Sequence, residues 1–138
     1  MPAFDFVTNS FRMPEQPIIE KNRVTEMTFD DNKWKVIGAP DDNFAAVVSG
    51  FLNVQSAGQY EFWTESDDGS ELWIDKARVV DNSGLHGPER KKGTVSLSKG
   101  LHSILVSFVE CGGGALLKIS WMGPDTGGKE QPVNLQGI

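Results

Sequence analysis

The fold of this chain is decided by residues 60–75, which read YEFWTESDDGSELWID. Before the acidic pair, apolar and polar residues alternate, and this places Tyr60 and Phe62 on one face of the segment. A second alternating run follows the pair. A period of two is the pattern of a half-buried β-strand. Because Asp and Gly are common turn residues, Asp67-Asp68-Gly69 is predicted to connect two strands.

Alternating runs of this kind continue along most of the chain. From about Phe44 onward they are separated by turn signals at a spacing of roughly ten residues, which is typical of a β-sandwich or barrel. The predicted strands are residues 45–54, 60–65, 71–75, 77–80, 94–98, 102–110 and 115–121. No segment shows the 3.6-residue period of an amphipathic helix. We therefore predict an all-β fold, an antiparallel β-sandwich.

The first part of the chain fits this pattern less well. Helix- and strand-breaking residues at 13–17 and 38–42 enclose a segment of mixed character. We expect loops there, with one strand or a short turn of helix. The length of 138 residues is that of one domain, and we assign residues 1–138 to it.

Composition and charge exclude several classes of function. With 13 basic and 19 acidic residues, the chain has a formal net charge of −6, which disfavours nucleic-acid binding. The basic cluster Arg90-Lys91-Lys92 is short and lacks interleaved aromatic residues. No apolar run approaches the roughly 20 residues of a membrane helix, and the first residues do not read as a secretory signal. Cys111 is the single cysteine, so no internal disulfide can form.

The adjacent carboxylates Asp67 and Asp68 allow two interpretations. Neighbouring side chains in a regular strand point to opposite faces, so the pair can simply be a solvated turn. If the backbone brings both carboxylates together, the double negative charge requires a cation. Hard oxygen donors of this kind suit Ca²⁺ best.

Several stretches in order resemble the PA14 domain. They are residues 49–54, 57–62, 67–75, 79–82, 93–97, 100–102 and 113–115, followed by Trp121 and Gly123-Pro124. The resemblance is best over residues 44–124. It implies a jelly-roll-like sandwich of two sheets. In the sugar-binding members of this family, a cis peptide joins the two aspartates, both carboxylates bind one Ca²⁺, and sugar hydroxyls complete the shell of the ion.

The resemblance also implies which residues would hold the metal. Asp67 and Asp68 are the first two ligands, and residues 110–115 form the neighbouring loop that supplies the others. Glycine lets a backbone carbonyl point inward without steric penalty, so the carbonyls of Gly113 and Ala115 are the preferred donors. Some adhesin members have an Asn or Asp side chain in this loop. This chain has neither, so Glu110 is the acidic side chain left to reach the metal.

A second loop is expected beside the metal, over residues 82–92. Asn82, Ser83 and His86 are its members best suited to hydrogen-bond sugar hydroxyls. The alternative is an ordinary surface loop.

The remaining aromatic and reactive residues indicate structural roles. Trp63, Trp73 and Trp121 could stack on a sugar ring, but strand aromatics are more often core residues, and Trp73 is expected there. His102 follows a turn and is interpreted as structural, and Cys111 as a small buried side chain. Adjacent aspartates cannot occupy opposite walls of a cleft about 5–9.5 Å wide, as glycoside hydrolysis requires. We expect no enzymatic activity.

Together these features predict a Ca²⁺-dependent carbohydrate-binding module, similar to lectins and adhesins. Its partners would be glycans or simple sugars, and the resemblance implies a larger multidomain protein that is extracellular or at the cell surface. The alternative is a structural or protein-interaction module that binds no sugar. An exposed apolar patch away from the Asp-Asp turn would favour that alternative.

Overall fold

The computed structural model describes residues 3–5, 10–12, 27–30, 44–111 and 114–134. These residues form mostly strands, with one 3₁₀ turn at Pro124–Thr126. The strands are β1 (Ala3–Asp5), β2 (Ser10–Arg12), β3 (Thr28–Phe29), β4 (Phe44–Val54), β5 (Gly58–Asp67), β6 (Ser70–Ile74), β7 (Ala77–Asn82), β8 (Glu89–Leu97), β9 (Gly100–Glu110), β10 (Leu116–Met122) and β11 (Gln131–Pro132). No helix in this part of the chain is long and apolar enough to cross a membrane.

Two antiparallel sheets form the body of the domain. One has the strand order β4-β9-β6-β7, and the other has the order β11-β10-β5-β8, with β3 also paired to β10. Strands β1 and β2 form a separate hairpin. The predicted all-β antiparallel sandwich is therefore confirmed.

The core lies between the two sheets and follows the alternation of the sequence. Phe62 and Ile119 from one sheet and Leu72 and Phe108 from the other are almost fully buried in a single cluster. Burying side chains of this size supplies the main driving force for folding, at about 25 cal/mol per Å² of apolar surface.

Trp63, Trp73 and Trp121 lie within the described residues, some inside the sandwich and some on its outer faces. Trp121 is buried, and its ring stacks on Tyr60 with 5.2 Å between centroids. Trp63 is half-buried, and the guanidinium of Arg90 lies 4.9 Å from its ring centroid. The expectation that Trp73 belongs to the core is wrong, because it is half-buried between two inward residues of β6, on the outer face.

Strand β8 is longer than the sequence indicates. It begins at Glu89 rather than at residue 94, because residues 89–93 pair with residues 62–66 of β5. These residues are mostly exposed and charged, so they lack the alternation that marks a half-buried strand. The second predicted loop consequently shortens from residues 82–92 to residues 83–88. In the first part of the chain, the short strands β1, β2 and β3 form, and the remaining predictions there lie outside the described residues.

The two sheets are in close contact where β7 passes β8. A Cβ atom placed on Gly93 of β8 would lie 1.8 Å from the carbonyl oxygen of Val79 in β7. Only a residue without a side chain allows this approach. Gly93 therefore allows β8 to pack closely against β7 on this side of the sandwich.

At one end of the sandwich, His102 hydrogen-bonds residues of the turn between β6 and β7 and of the turn between β8 and β9. Its Nδ1 lies 2.6 Å from Oδ2 of Asp75, and its Nε2 lies 2.7 Å from the carbonyl oxygen of Ser98. Asp75 Oδ1 also accepts the backbone N–H of Ser103. The hydrogen bond that His102 donates to Asp75 raises the pKa of His102 above its ordinary value, and the same bond lowers the pKa of Asp75. The structural role expected for His102 agrees with these contacts.

This pair makes stability depend on pH. The contribution of His102 is complete below about pH 6.5, its unfolded pKa, and is lost as the pH rises through the raised folded pKa. The contribution of Asp75 is present above about pH 3.9 and is lost as the pH falls through its lowered pKa. We expect His102→Gln to cost more unfolding free energy at about pH 5.5 than at about pH 9. Urea unfolding at both pH values measures this, and an equal cost at both would contradict it.

Candidate functional site

The Asp67-Asp68 turn carries the chain from one sheet to the other. Asp67 is the last residue of β5 and pairs with Leu116 of β10. After the turn, β6 enters the opposite sheet beside β9. The backbone N–H of Asp68 donates to the carbonyl of Val109 at 3.0 Å, and the N–H of Val109 donates to the carbonyl of Gly69 at 2.9 Å. The turn is thus fixed to the end of β9.

The described ends of the loop of residues 110–115 belong to the same two sheets. The loop starts at the end of β9, beside Asp68, and ends at the start of β10, where Leu116 pairs with Asp67. The backbone N–H of Cys111 donates to Oδ1 of Asp68 at 3.0 Å. The two segments that the family resemblance assigns to one metal site therefore lie next to each other at their described ends.

The acidic pair has an unusual local environment. The peptide bond between Asp67 and Asp68 is cis, as the family resemblance implies. Asp67 is half-buried, whereas Asp68 is only 8% exposed. Within the described part of the chain, Asp68 forms no ion pair with a Lys or Arg side chain. A buried carboxylate normally requires a compensating positive charge, and a bound cation would supply one.

The other predicted ligands are placed as follows. Glu110 is fully buried at the end of β9, and Ala115 is buried immediately before β10. Gly113 lies outside the described residues. Among those residues, no three His, Cys, Asp or Glu side chains converge on a point that could hold a metal.

Cys111 lies at this site but lacks the properties of a nucleophile. Burial, together with the negative charges of Asp68 and Glu110, raises the pKa of its thiol. The reactive form of cysteine is the thiolate, so the residue is poorly reactive at neutral pH.

The loop of residues 83–88 rests directly on the Asp-Asp turn. A Cβ atom on Gly69 would lie 2.4 Å from the carbonyl oxygen of Gly84, so the two backbones are in close contact. The hydroxyl of Ser83 donates to Oδ1 of Asp81 at 2.6 Å. His86 Nε2 lies 2.9 Å from the carbonyl of Asn82, and its Nδ1 lies 2.7 Å from the carbonyl of Gly87.

Asn82 supports this loop from below. It is 1% exposed, which places it out of reach of an external ligand, contrary to the contact expected from the sequence. Its Nδ2 donates to the carbonyl of Glu89 at 2.9 Å and to the carbonyl of Thr64 at 3.3 Å. Its Oδ1 is buried without a hydrogen-bond donor in the described part of the chain.

A buried polar network beneath the site was not anticipated from the sequence. Ser70 donates to Thr64 at 3.0 Å and shares a 2.7 Å hydrogen bond with Ser66, and Ser66 in turn accepts from Asn82. The sequence contains a pattern that could have predicted it, because residues 64 and 66 lie on the same inward face as Tyr60 and Phe62 but carry hydroxyl groups. Hydroxyls at inward positions indicate a satisfied polar cluster rather than apolar core.

A second surface feature lies on the outer face of the β4-β9-β6-β7 sheet. Phe51, Leu101 and Leu105 are exposed there, at 40%, 63% and 38%. The strand register places Phe51 opposite Ser103, between the two leucines, and places Trp73 opposite Leu105. We call Phe51, Trp73, Leu101 and Leu105 the apolar row.

The architecture and the crossing segments define a β-sandwich module with an acidic turn at one edge. The family model of the PA14 domain matches residues 5–134, a wider range than the best-matching residues 44–124. The chain belongs to the PA14 domain family.

Solved structures with this fold include a PA14 sugar-binding domain from an RTX adhesin. It is 22% identical, with a TM-score of 0.64, covering 81% of this chain and 72% of that one. An anti-sigma factor domain-containing protein from Clostridium clariflavum is 23% identical, with a TM-score of 0.68, over 97% of this chain and 44% of that one.

A Candida glabrata epithelial adhesin domain, subtype-switched and in complex with β-lactose, is also similar. It is 14% identical, with a TM-score of 0.61, over 81% of this chain and 67% of that one. At these identities, the likeness establishes the fold. No curated protein matches the chain.

Proposed function

We propose that this domain binds carbohydrate through a Ca²⁺ ion held at the Asp67-Asp68 turn. Asp67 and Asp68 would supply carboxylate oxygens, and the loop of residues 110–115 would supply carbonyls from Gly113 and Ala115, with Glu110 at its base. Vicinal sugar hydroxyls would fill the remaining positions of the ion. In this role the domain binds glycans, performs no catalysis and is displayed outside the cell or on its surface within a larger protein.

The observation that carries this proposal is the buried position of Asp68 beside the loop of residues 110–115. A carboxylate that is 8% exposed, with one N–H donor and no Lys or Arg ion pair in the described residues, suits a hard cation. Proteins with the same fold include a PA14 sugar-binding domain from an RTX adhesin and an adhesin domain in complex with β-lactose. Affinity for one sugar is expected to be weak because a small open site buries little surface, and multiple copies would compensate through avidity.

A glycan screen with Ca²⁺ and with a chelator tests the proposal. We expect binding to a subset of glycans in Ca²⁺, loss of binding in chelator and loss of binding in Asp67→Ala. Asp81→Asn provides a matched control, because it removes one exposed carboxylate near the loop while its amide oxygen can still accept the hydrogen bond from Ser83. Glycan binding that survives both chelator and Asp67→Ala would refute a metal-dependent mechanism.

The apolar row favours a second candidate, a module that docks on neighbouring domains. Exposed apolar side chains grouped on one sheet face are typical of interaction surfaces. The double variant Leu101→Ser, Leu105→Ser should then weaken association with an adjoining domain while leaving unfolding unchanged. If the same variant retains full association, this second candidate is excluded.

A further inference from the structure

The ring of His86 is held between two acceptors of its own loop. Nδ1 lies 2.7 Å from the carbonyl oxygen of Gly87, and Nε2 lies 2.9 Å from the carbonyl oxygen of Asn82. A carbonyl oxygen can only accept, so each contact needs an N–H on the ring. Neutral imidazole carries one N–H, whereas imidazolium carries two. The geometry is therefore that of the charged ring.

The charged groups around His86 favour this form. Glu89 Oε2 lies 3.6 Å from Nε2, and Asp68 acts on the ring from the neighbouring turn. Burial alone would lower the pKa of His86, but the two carbonyls and these two carboxylates outweigh it, and the pKa lies above its ordinary value. Within the described residues, Glu89 and Asp68 are the charged side chains that act on it.

The loop that contains His86 packs against the Asp67-Asp68 turn, so the contacts of His86 affect the proposed binding site. Its base is fixed by Asn82, whose amide reaches the carbonyl of Glu89, and Gly84 rests on Gly69 directly after Asp68. Between these points, the His86 ring contacts the carbonyl of Asn82 before the loop and the carbonyl of Gly87 within it. With both nitrogens already occupied, His86 acts on a ligand through the loop rather than by direct contact.

We propose that the imidazolium ring of His86 holds residues 83–88 against the Asp67-Asp68 turn, so that loss of its proton releases the loop and weakens ligand binding. His86 is then a positioning residue, and its effect on ligands rests on the proposed carbohydrate-binding function. An ordered loop binds more tightly because less conformational freedom is lost on binding.

The order of the loop can be measured without metal or sugar. Heteronuclear NOEs of the backbone amides of Leu85 and Gly87, recorded from about pH 5 to pH 9 in chelator, report the motion of the loop. The imidazole resonances of His86 give its pKa in the same samples. We expect the NOEs to fall at the pH where His86 loses its proton.

The chain offers a matched control, because it contains two histidines and both contact two acceptors. His102→Gln should leave the pH profile of the loop unchanged. His86→Gln, whose amide keeps two N–H donors at every pH, should remove the profile. A loop that stays ordered through the titration, or a profile that persists in His86→Gln, would overturn the proposal.

Adding Ca²⁺ separates this inference from the proposed function. A cation at Asp68 cancels a negative charge that favours imidazolium, so the midpoint of the loop transition should move to lower pH. If the loop responds to pH but the midpoint ignores Ca²⁺, the positioning role of His86 stands and the metal site fails. For a glycan that the wild type binds, the affinity should fall as the pH rises through the same range. The affinity of His86→Gln for that glycan should not change with pH.

Discussion

Replacing Gly93 with alanine is expected to lower the free energy of unfolding by about 3 kcal/mol, at the upper end of overpacking costs. The added methyl group would lie 1.8 Å from the carbonyl oxygen of Val79 and 2.8 Å from its carbonyl carbon. The obstacle is the backbone of β7, which cannot rotate aside as a flexible side chain can. Gly93 also pairs with Phe62, so moving β8 away from β7 would strain its pairing with β5.

Thermal unfolding followed by circular dichroism measures this effect, and a loss of that size should lower the Tm by roughly 10 °C. Gly87→Ala is the matched control, because a Cβ atom there meets nothing within 4 Å. The same chemical change at Gly87 should be neutral or slightly stabilising, since alanine restricts the unfolded chain. If both variants lose similar stability, the contact between β7 and β8 does not restrict the sandwich.

Much of the fold could be read from the sequence because one side of most strands faces the core. The alternation in β5 and β6 reflects the burial of Phe62 and Leu72, and it places the turn between them correctly. The first half of β8 could not be found in this way. It lies at the edge of its sheet, where pairing with β5 rather than burial fixes its conformation.

The candidate site was less accessible to sequence reasoning. Periodicity identifies the Asp67-Asp68 turn, but its contact with residues 110–115 depends on how two sheets pack, and only the family resemblance predicted it. The burial of Asn82 and the engagement of both His86 nitrogens also depend on tertiary contacts. Residue type alone therefore assigned them to ligand contact, whereas the structure gives them supporting positions.

Asp68→Asn is expected to abolish the stabilisation of this domain by Ca²⁺. A ligand that binds only the folded state adds about 2.7 kcal/mol at a concentration 100 times its Kd, which corresponds to a Tm increase of roughly 10 °C. Asparagine keeps an oxygen that can accept the N–H of Cys111, so the turn retains this hydrogen bond. The variant thus removes the negative charge with little change in shape.

The wild type and Asp68→Asn should also differ in stability in chelator, where the variant is expected to be the more stable of the two. Without metal, the wild type carries a buried carboxylate with no Lys or Arg ion pair in the described residues, whereas the variant carries a neutral amide. Because a buried carboxylate without a compensating positive charge is costly, Asp68→Asn should be at least as stable as the wild type in chelator at a pH above the titration of His86, where the ring no longer offsets the charge of Asp68, and less stable in Ca²⁺. Differential scanning calorimetry of both proteins, with Ca²⁺ and with chelator, measures this reversal in the order of stability.

The control variant Asp81→Asn, which removes an exposed carboxylate, should respond to Ca²⁺ as the wild type does. An identical Ca²⁺ response in wild type and Asp68→Asn would place any bound ion elsewhere and leave the module that docks on neighbouring domains as the better account of this protein.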